Sequence, residues 1–380
     1  MKIAIITLNN PFEKGGGIES VVYNLSREMV RLGHEIWIIC LGNDEEEIKT
    51  VNGVRLWILP GKRKKSLFWR SALFAIKGMK ILKELEKRGI EVFIGQGGLS
   101  SPLVFYKPRY AKLFLVVHTL DEENLSNIRD CFRTRHFREL IIELIKYPML
   151  KIWRIFYLYK FKKLIFVSKS VFEEFRKFYR FSNKECYIIP NGYPEEIIHH
   201  KSLDKKYDFI YAGRLDKGKC VDLIVKASRI LKDKGYKFSV VIVGDGPWRE
   251  DIKRHIKYNN LVNYVRLLGF LPYGDVLDII SRSKFLILPS IYESDPLVIR
   301  EALSLGVPCI VSDIPALYDK IENGKNGFIF KRCDHFDLAK KMEVALKVDD
   351  YEILSENARN SSGNFGWKKI AENYIRIMMK

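Results

Sequence analysis

Apolar residues along this chain come in short unbroken runs. Each run is followed by a stretch in which they return every three or four positions. Ile3–Leu8 is the first run, and one so short reads as a strand buried on both faces of a parallel sheet. Behind a glycine loop, Gly15-Gly16-Gly17, the residues Val21, Val22, Leu25, Met29 and Leu32 recur at helical spacing. Gly33 closes that helix and His34–Leu41 begins the next run. Further strands are expected at Val54–Leu59, Val92–Gly95, Leu113–Val117, Leu164–Val167 and Cys186–Ile189, with helices between most of them. Alternation of this kind predicts a parallel sheet covered on both faces.

Pro190-Asn191-Gly192 breaks the rhythm, and the polar stretch Glu195–Lys206 reads as a linker. The alternation then restarts. Strands are expected at Tyr207–Tyr211, Phe238–Val243, Val265–Leu268, Phe285–Leu288 and Pro308–Val311. Helices are expected near Cys220–Leu231, Trp248–Tyr258, Val276–Ser281 and Pro296–Leu305. The pattern is α/β, with two doubly wound, Rossmann-like domains, at residues 1–195 and 196–365. An amphipathic helix over 366–380 is expected to cross back to the first. Such sheets bind ligands at the carboxyl ends of their strands, so the domains are expected to face each other across a cleft lined by those loops.

Composition narrows the partners. The chain has 380 residues, 47% of them hydrophobic, and a net charge of +19. That balance suits a folded protein with anionic partners and does not choose among them. Six scattered cysteines show neither metal spacing nor a disulfide framework, so a reducing, cytoplasmic setting is expected. The apolar start MKIAIITL meets Asn9-Asn10-Pro11 rather than a cleavage site, which favours a strand over a signal peptide. No apolar run reaches the roughly 18 residues of a membrane span.

Four loops after strands carry candidate chemistry. Gly15-Gly16-Gly17 could let backbone N–H groups approach an anion at a helix start. Gly213-Arg214-Leu215-Asp216-Lys217-Gly218-Lys219 places two cations where a leaving diphosphate could be neutralised. Val243-Gly244-Asp245-Gly246-Pro247 reads as a tight turn, with Asp245 not expected to be catalytic. The fourth loop, Pro289–Pro296, holds Glu293, Ser294 and Asp295, and the following helix carries Glu301. Carboxylates suit sugar and ribose hydroxyls because they accept hydrogen bonds in fixed geometry, and N–H groups near Ser294–Val298 can face a phosphate.

Glu293 and Glu301, separated by seven residues, resemble the E-x7-E motif of retaining glycosyltransferases with the GT-B fold, specifically family 4. Gly16-Gly17, Pro190-Asn191-Gly192, Gly213-Arg214-Leu215 with Lys219, Val243–Pro247, Gly269-Phe270 and Gly306-Val307-Pro308 match further family landmarks in order. The resemblance covers essentially the whole chain. It implies catalytic roles for Arg214, Lys219, His118 and Glu293. It also implies a donor site of Gly16, Gly17, Arg214, Lys219, Arg266, Leu267, Glu293, Ser294, Asp295, Pro296, Leu297, Val298 and Glu301. In that reading Arg214 and Lys219 neutralise the diphosphate, Glu301 holds the ribose and Glu293 the sugar. His118 lies near the sugar's reactive carbon, and the base rests near Arg266–Gly269. Neither a metal nor another cofactor is expected. Three departures stand out: Asp295-Pro296 replaces Phe-Gly, Cys220 replaces a glycine, and Ile314-Pro315-Ala316 replaces a glycine pair.

The implied reaction moves a sugar, with retention, from a UDP- or GDP-linked donor to a glycan or lipid-linked acceptor. Cys131–Lys163 carries nine Lys/Arg, two Glu and eight aromatics, with Leu140, Leu144, Tyr147 and Lys151 on one helical stripe. With the basic loop Lys62-Arg63-Lys64-Lys65, this suggests peripheral contact with an anionic membrane surface. Two rival readings fit the same pattern less well: a sugar-nucleotide epimerase of similar fold, and a non-catalytic anion- or nucleic-acid-binding relative. No nucleic-acid motif supports the latter, so no nucleic-acid partner is expected.

Overall fold

The computed structural model describes residues 1–13, 16–42, 45–61, 67–97, 101–119, 154–179, 183–195 and 204–380. They form two compact units. The first takes the described residues up to 119, those from 154 to 192, and Gly366–Lys380; the second is Tyr193–Phe365. Gly15, the basic loop 62–65 and the stretch 131–153 with its helical stripe lie outside the described residues.

The first unit is built on β1 (Lys2–Asn9), β2 (Glu35–Gly42), β3 (Glu47–Val51), β4 (Val54–Pro60), β5 (Val92–Gln96), β6 (Lys112–Val117), β7 (Lys163–Phe166) and β8 (Glu185–Ile188). They form one sheet in the order β3-β4-β2-β1-β5-β6-β7-β8. All neighbours are parallel except β3 and β4. Strand order reverses at β1, so the crevice beyond the ends of β1 and β5 is this sheet's switch point. Strand β3 was missed by the apolar pattern because it is polar and mostly exposed. Its signal was Asn52-Gly53, which turns with φ of 52° and 79°, the paired positive values of a tight hairpin.

The second unit repeats the plan with β9 (Tyr207–Ala212), β10 (Val240–Val243), β11 (Val265–Gly269), β12 (Ser283–Leu288), β13 (Cys309–Ser312) and β14 (Gly327–Phe330). The order is β11-β10-β9-β12-β13-β14, parallel throughout. Its switch point lies between β9 and β12. Strands β9, β10, β12 and β13 are walled on both faces by helices, which is why they read as unbroken apolar runs. Strand β14 and the helices His335–Leu346 and Tyr351–Ser361 are elements the sequence pattern had not marked.

The expected C-terminal helix forms over Trp367–Met379. It packs on the helix Gly17–Arg31, and Lys112 Nζ donates to the carbonyl of Met378 at 3.0 Å. Within the second unit, the two ends of the chain segment are tied together. Tyr193 N donates to Phe365 O at 3.1 Å and its hydroxyl to Gly363 O at 2.8 Å. Cys40, Cys186, Cys220 and Cys309 are free thiols. Cys333 is disulfide-bonded, which the scattered spacing did not suggest. Among the described residues, no helix is long and apolar enough to cross a membrane.

Candidate functional site

The residues expected to meet the leaving group gather at the switch point of the second sheet. The chain leaves β9 at Ala212 and turns through Gly213–Asp216. Asp216 then caps a single 3-10 turn, Lys217–Lys219, accepting from Lys219 N at 3.3 Å. That turn presents the Lys219 side chain toward the loop after β12. Lys219 Nζ lies 2.5 Å from Glu293 Oε1. Ser290 Oγ donates to the same carboxylate oxygen at 2.7 Å, and Ile291 N donates to Gly218 O at 3.0 Å. The two loops are therefore stitched by backbone as well as by charge. Glu293 is nearly buried, whereas Lys219 keeps part of its side chain exposed.

Arg214 differs from Lys219. Its side chain is mostly exposed, and its Nε lies 3.4 Å from the Asp216 carboxylate. Its backbone is fixed instead, because the Tyr211 hydroxyl donates to Arg214 O at 2.8 Å. The Gly244-Asp245-Gly246 turn braces this same loop from below. Gly244 has φ of 138°, and a Cβ there would stand 1.8 Å from Gly213 O. Leu215 N donates to Asp245 O at 3.0 Å. Gly-Asp-Gly is thus a packing requirement of the Arg214 loop, and the Asp245 carboxylate itself faces solvent beside Arg249.

Glu301 sits on the helix Leu297–Ser304, buried to 7% exposure. Its Oε1 accepts the Tyr273 hydroxyl at 2.6 Å. Burial raises its pKa to about 7, against the opposing pull of that hydrogen bond. A carboxylate this dehydrated needs further donors to stay ionised. Pro296 is the residue that caps this helix rather than its first residue. Leu297 and Val298 open the helix, half-buried, and Ser294 is half-buried in the loop before it. Arg266, exposed, and Leu267, half-buried, lie on the edge strand β11.

Asp295 faces inward. Its side chain is completely buried and sits 3.1 Å from Arg300 and 3.2 Å from Lys320, both nearly buried as well. Lys320 also donates to Ala316 O at 2.7 Å. Two departures from the family pattern, Asp295-Pro296 and Ile314-Pro315-Ala316, therefore meet through one lysine. The Asp295 carboxylate, expected in the donor site, is turned inward and holds the Glu293 loop onto the protein. The third departure, Cys220, has φ of 47°, a conformation that glycine adopts more cheaply.

Gly16, Gly17 and His118 belong to the first unit. Gly16 N donates to Glu19 Oε2 at 2.8 Å, and Asn9 Nδ2 donates to Glu19 Oε1 at 2.6 Å. The Gly16 amide is thus taken by a capping carboxylate and is not offered to an anion. Gly17 has open space where a Cβ would stand. His118 follows β6 and is buried; its Nε2 lies 2.8 Å from Gln96 Oε1. Burial lowers its pKa to about 4, with Glu19 pulling the other way. The imidazole is therefore neutral near pH 7. Sequence pattern does not single out Gln96; it ends β5, and its position at a strand terminus beside the switch point is the available signal. Among the described residues, no group of three or more His, Cys, Asp or Glu could hold a metal ion.

Comparison with known proteins places these loops in a family. The sequence model for Glycosyl transferases group 1 matches residues 194–361, and that for Glycosyltransferase Family 4 matches 15–196. An uncharacterized glycosyltransferase of Methanocaldococcus jannaschii is 24% identical over 99% of this chain and 97% of its own length. The UDP-Gal:alpha-D-GlcNAc-diphosphoundecaprenol alpha-1,3-galactosyltransferase of Escherichia coli is 35% identical. That match spans 47% of this chain and 49% of the relative, so the chain covers only about half of it. Among solved structures, sucrose-phosphate synthase from Thermosynechococcus elongatus superposes with a TM-score of 0.81 at 18% identity. It covers 100% of this chain and 98% of that one, a likeness of fold alone.

Proposed function

Since this chain is a glycosyltransferase of the GT-B fold and family 4, we propose that it transfers a sugar, with retention, from a nucleoside-diphosphate sugar to a glycan or lipid-linked acceptor. The observation that carries the donor reading is the Lys219–Glu293 pair at the second sheet's switch point. A cation held there by a nearly buried carboxylate is preorganised to meet the charge that grows on a departing diphosphate. Arg214, solvent-exposed on a fixed backbone, swings to the same charge. In this reading the two cations do what a divalent metal does elsewhere. Glu293 then holds a sugar hydroxyl in addition to Lys219 and Ser290. Glu301 accepts from the ribose, and the N–H groups of Leu297 and Val298 face phosphate. His118, neutral and buried, is assigned to the sugar side as a hydrogen-bonding group rather than a charge.

The donor base is read as uracil, because the Escherichia coli relative is named for a UDP-sugar. That relative's acceptor is a lipid diphosphate by name, and a lipid-linked acceptor here fits the surface of the first unit. Phe105, Ile155, Phe156 and Tyr159 are all more than two-fifths exposed, and the Phe105 and Phe156 rings lie 6.3 Å apart. Lys160, Lys162 and Lys163 follow in sequence. Exposed aromatics among lysines suit an anionic interface. The test of the donor reading is hydrolysis and transfer across UDP-, GDP- and ADP-sugars, with products identified by mass. Turnover of none overturns it. Flotation with anionic and neutral liposomes tests the membrane reading; equal absence from both overturns that part alone.

A further inference from the structure

We infer that Gln96 is a further substrate-binding residue: its side-chain amide and the His118 ring together form a donor–acceptor pair that takes one hydroxyl group of a sugar. The inference rests on the transferase reading above and adds a residue to it.

The amide is split between a satisfied and an unsatisfied half. Gln96 Oε1 has His118 Nε2 at 2.8 Å. Its Nε2 is buried and has no hydrogen-bond partner, in a residue only 1% exposed. A buried amide donor left unpaired is destabilising, because it gives up its hydrogen bond to water for nothing. Such groups are rare enough in folded proteins to need a reason. Methionine or leucine would fill the same volume and leave no amide nitrogen unpaired, although His118 Nε2 would then lose its acceptor. Retaining glutamine here makes sense if something outside the chain supplies the missing acceptor.

Tautomer chemistry says what that something is. An amide oxygen only accepts, so the His118 nitrogen facing it carries the hydrogen. The ring is neutral, which leaves Nδ1 with a lone pair. The amide nitrogen and Nδ1 are each two bonds from the atoms in contact. One side of the pair therefore offers a hydrogen and the other accepts one. A hydroxyl group both accepts and donates, and matches the pair; a phosphate oxygen can use only the amide half. Place agrees with chemistry. Gln96 ends β5 and His118 follows β6, on neighbouring parallel strands with Gln96 in register with Val116. The unoccupied side of Gly17 opens from the same end of the sheet, after β1.

Two variants separate the possibilities. Gln96→Met removes both halves of the amide. Gln96→Glu keeps an oxygen for His118 and removes the donor. With whichever UDP-, GDP- or ADP-sugar the wild type turns over, both variants should lose about tenfold or more in kcat/KM, roughly the worth of one hydrogen bond. Binding of UDP alone, which has no transferred sugar, should stay within twofold. Gln96→Met also takes the acceptor from His118 Nε2, so its melting temperature is read beside that of Gln96→Glu, which keeps that acceptor. Two results overturn the inference while leaving the transferase reading standing: a Gln96→Met enzyme as active as wild type, or a Gln96→Glu enzyme that retains full activity. A wild type that turns over no nucleotide sugar sinks the reading and this inference together.

Discussion

Lys219 Nζ and Glu293 Oε1 stand 2.5 Å apart, joining the loops that leave β9 and β12. Neither residue can change without altering its partner's charge environment. Lys219→Ala leaves Glu293 nearly buried with only Ser290 to balance it, and removes the fixed cation of the leaving-group site. We expect kcat to fall by about 10²–10³, the usual loss when one preorganised charge-stabilising group is removed, with KM for the donor moving far less. Lys219→Arg should restore little, since the guanidinium is planar and longer. Steady-state kinetics of both variants check this; an unchanged kcat in Lys219→Ala removes Lys219 from the chemistry.

Glu301 makes nucleotide binding sensitive to pH. Its folded pKa is raised to about 7 by burial, from 4.5. In the ligand-free protein such a group contributes stability that is present below pH 4.5 and lost as pH rises through 7. Binding runs the other way, because ribose hydroxyls donate to the ionised form. Below pH 7 the carboxyl must first give up its proton, so affinity for UDP should weaken by up to about tenfold per pH unit. The phosphate of UDP also titrates in this range, so the measure is the ratio of wild-type to Glu301→Gln affinity by calorimetry between pH 5.5 and 8.5. A constant ratio would refute the role. Tyr273→Phe, which removes the donor that favours the ionised form, should move the slope to higher pH.

Legibility in the sequence followed the physics of each element. Strands β1, β2, β9 and β12 were readable because both faces are buried, and unbroken Ile, Val and Leu runs permit little else. Strand β3 was not, since an exposed edge strand carries polar residues and only Asn52-Gly53 marked it. The helices over 335–346 and 351–361 follow the short polar stretches Lys331–Asp334 and Lys347–Asp350, which hid their starts, although Asp334 accepts from Phe336 N and Asp337 N as a cap. At the candidate site, the charged residues after strands were visible because their positions are fixed by topology. Their partners were not. Nothing local tells that Asp295 turns inward to Arg300 and Lys320, or that Glu19 takes the Gly16 amide. Those pairings depend on side chains that meet only after folding.

The buried Asp295 carboxylate holds two cations that have almost no solvent. Deleting it takes the carboxylate from Arg300 and leaves Lys320 with the exposed Asp319 at 3.0 Å. Asp295→Ala should cost about 3–5 kcal/mol in the stability of the second unit, the range for breaking a buried pair from one side. Replacing only one cation, by Lys320→Met, leaves Asp295 with Arg300, whose guanidinium also lies over the Phe365 ring at 4.5 Å, and should cost less. Calorimetric unfolding distinguishes these. If Asp295→Ala melts like wild type but loses donor binding, the carboxylate belongs to the ligand site after all.

Gly244 and Asp245 make a paired test of what the Gly-Asp-Gly turn is for. At Gly244 a methyl group would collide with the carbonyl of Gly213, and φ of 138° lies where side chains are strained. Gly244→Ala must therefore push away the backbone that carries Arg214, costing about 1–3 kcal/mol for the strained conformation alone. Activity should fall with it, through displaced phosphate contacts rather than lost chemistry. Asp245→Ala removes a carboxylate that is about two-fifths exposed, 3.8 Å from Arg249 and accepting from Gly246 N at 2.8 Å, exposed contacts worth little. The Asp245 carbonyl that accepts from Leu215 N is untouched by the change. Asp245→Ala should accordingly keep kcat/KM within about twofold, while Gly244→Ala loses both melting temperature and turnover. A large kinetic loss in Asp245→Ala at unchanged stability would make this aspartate a ligand group and reverse the assignment of the turn.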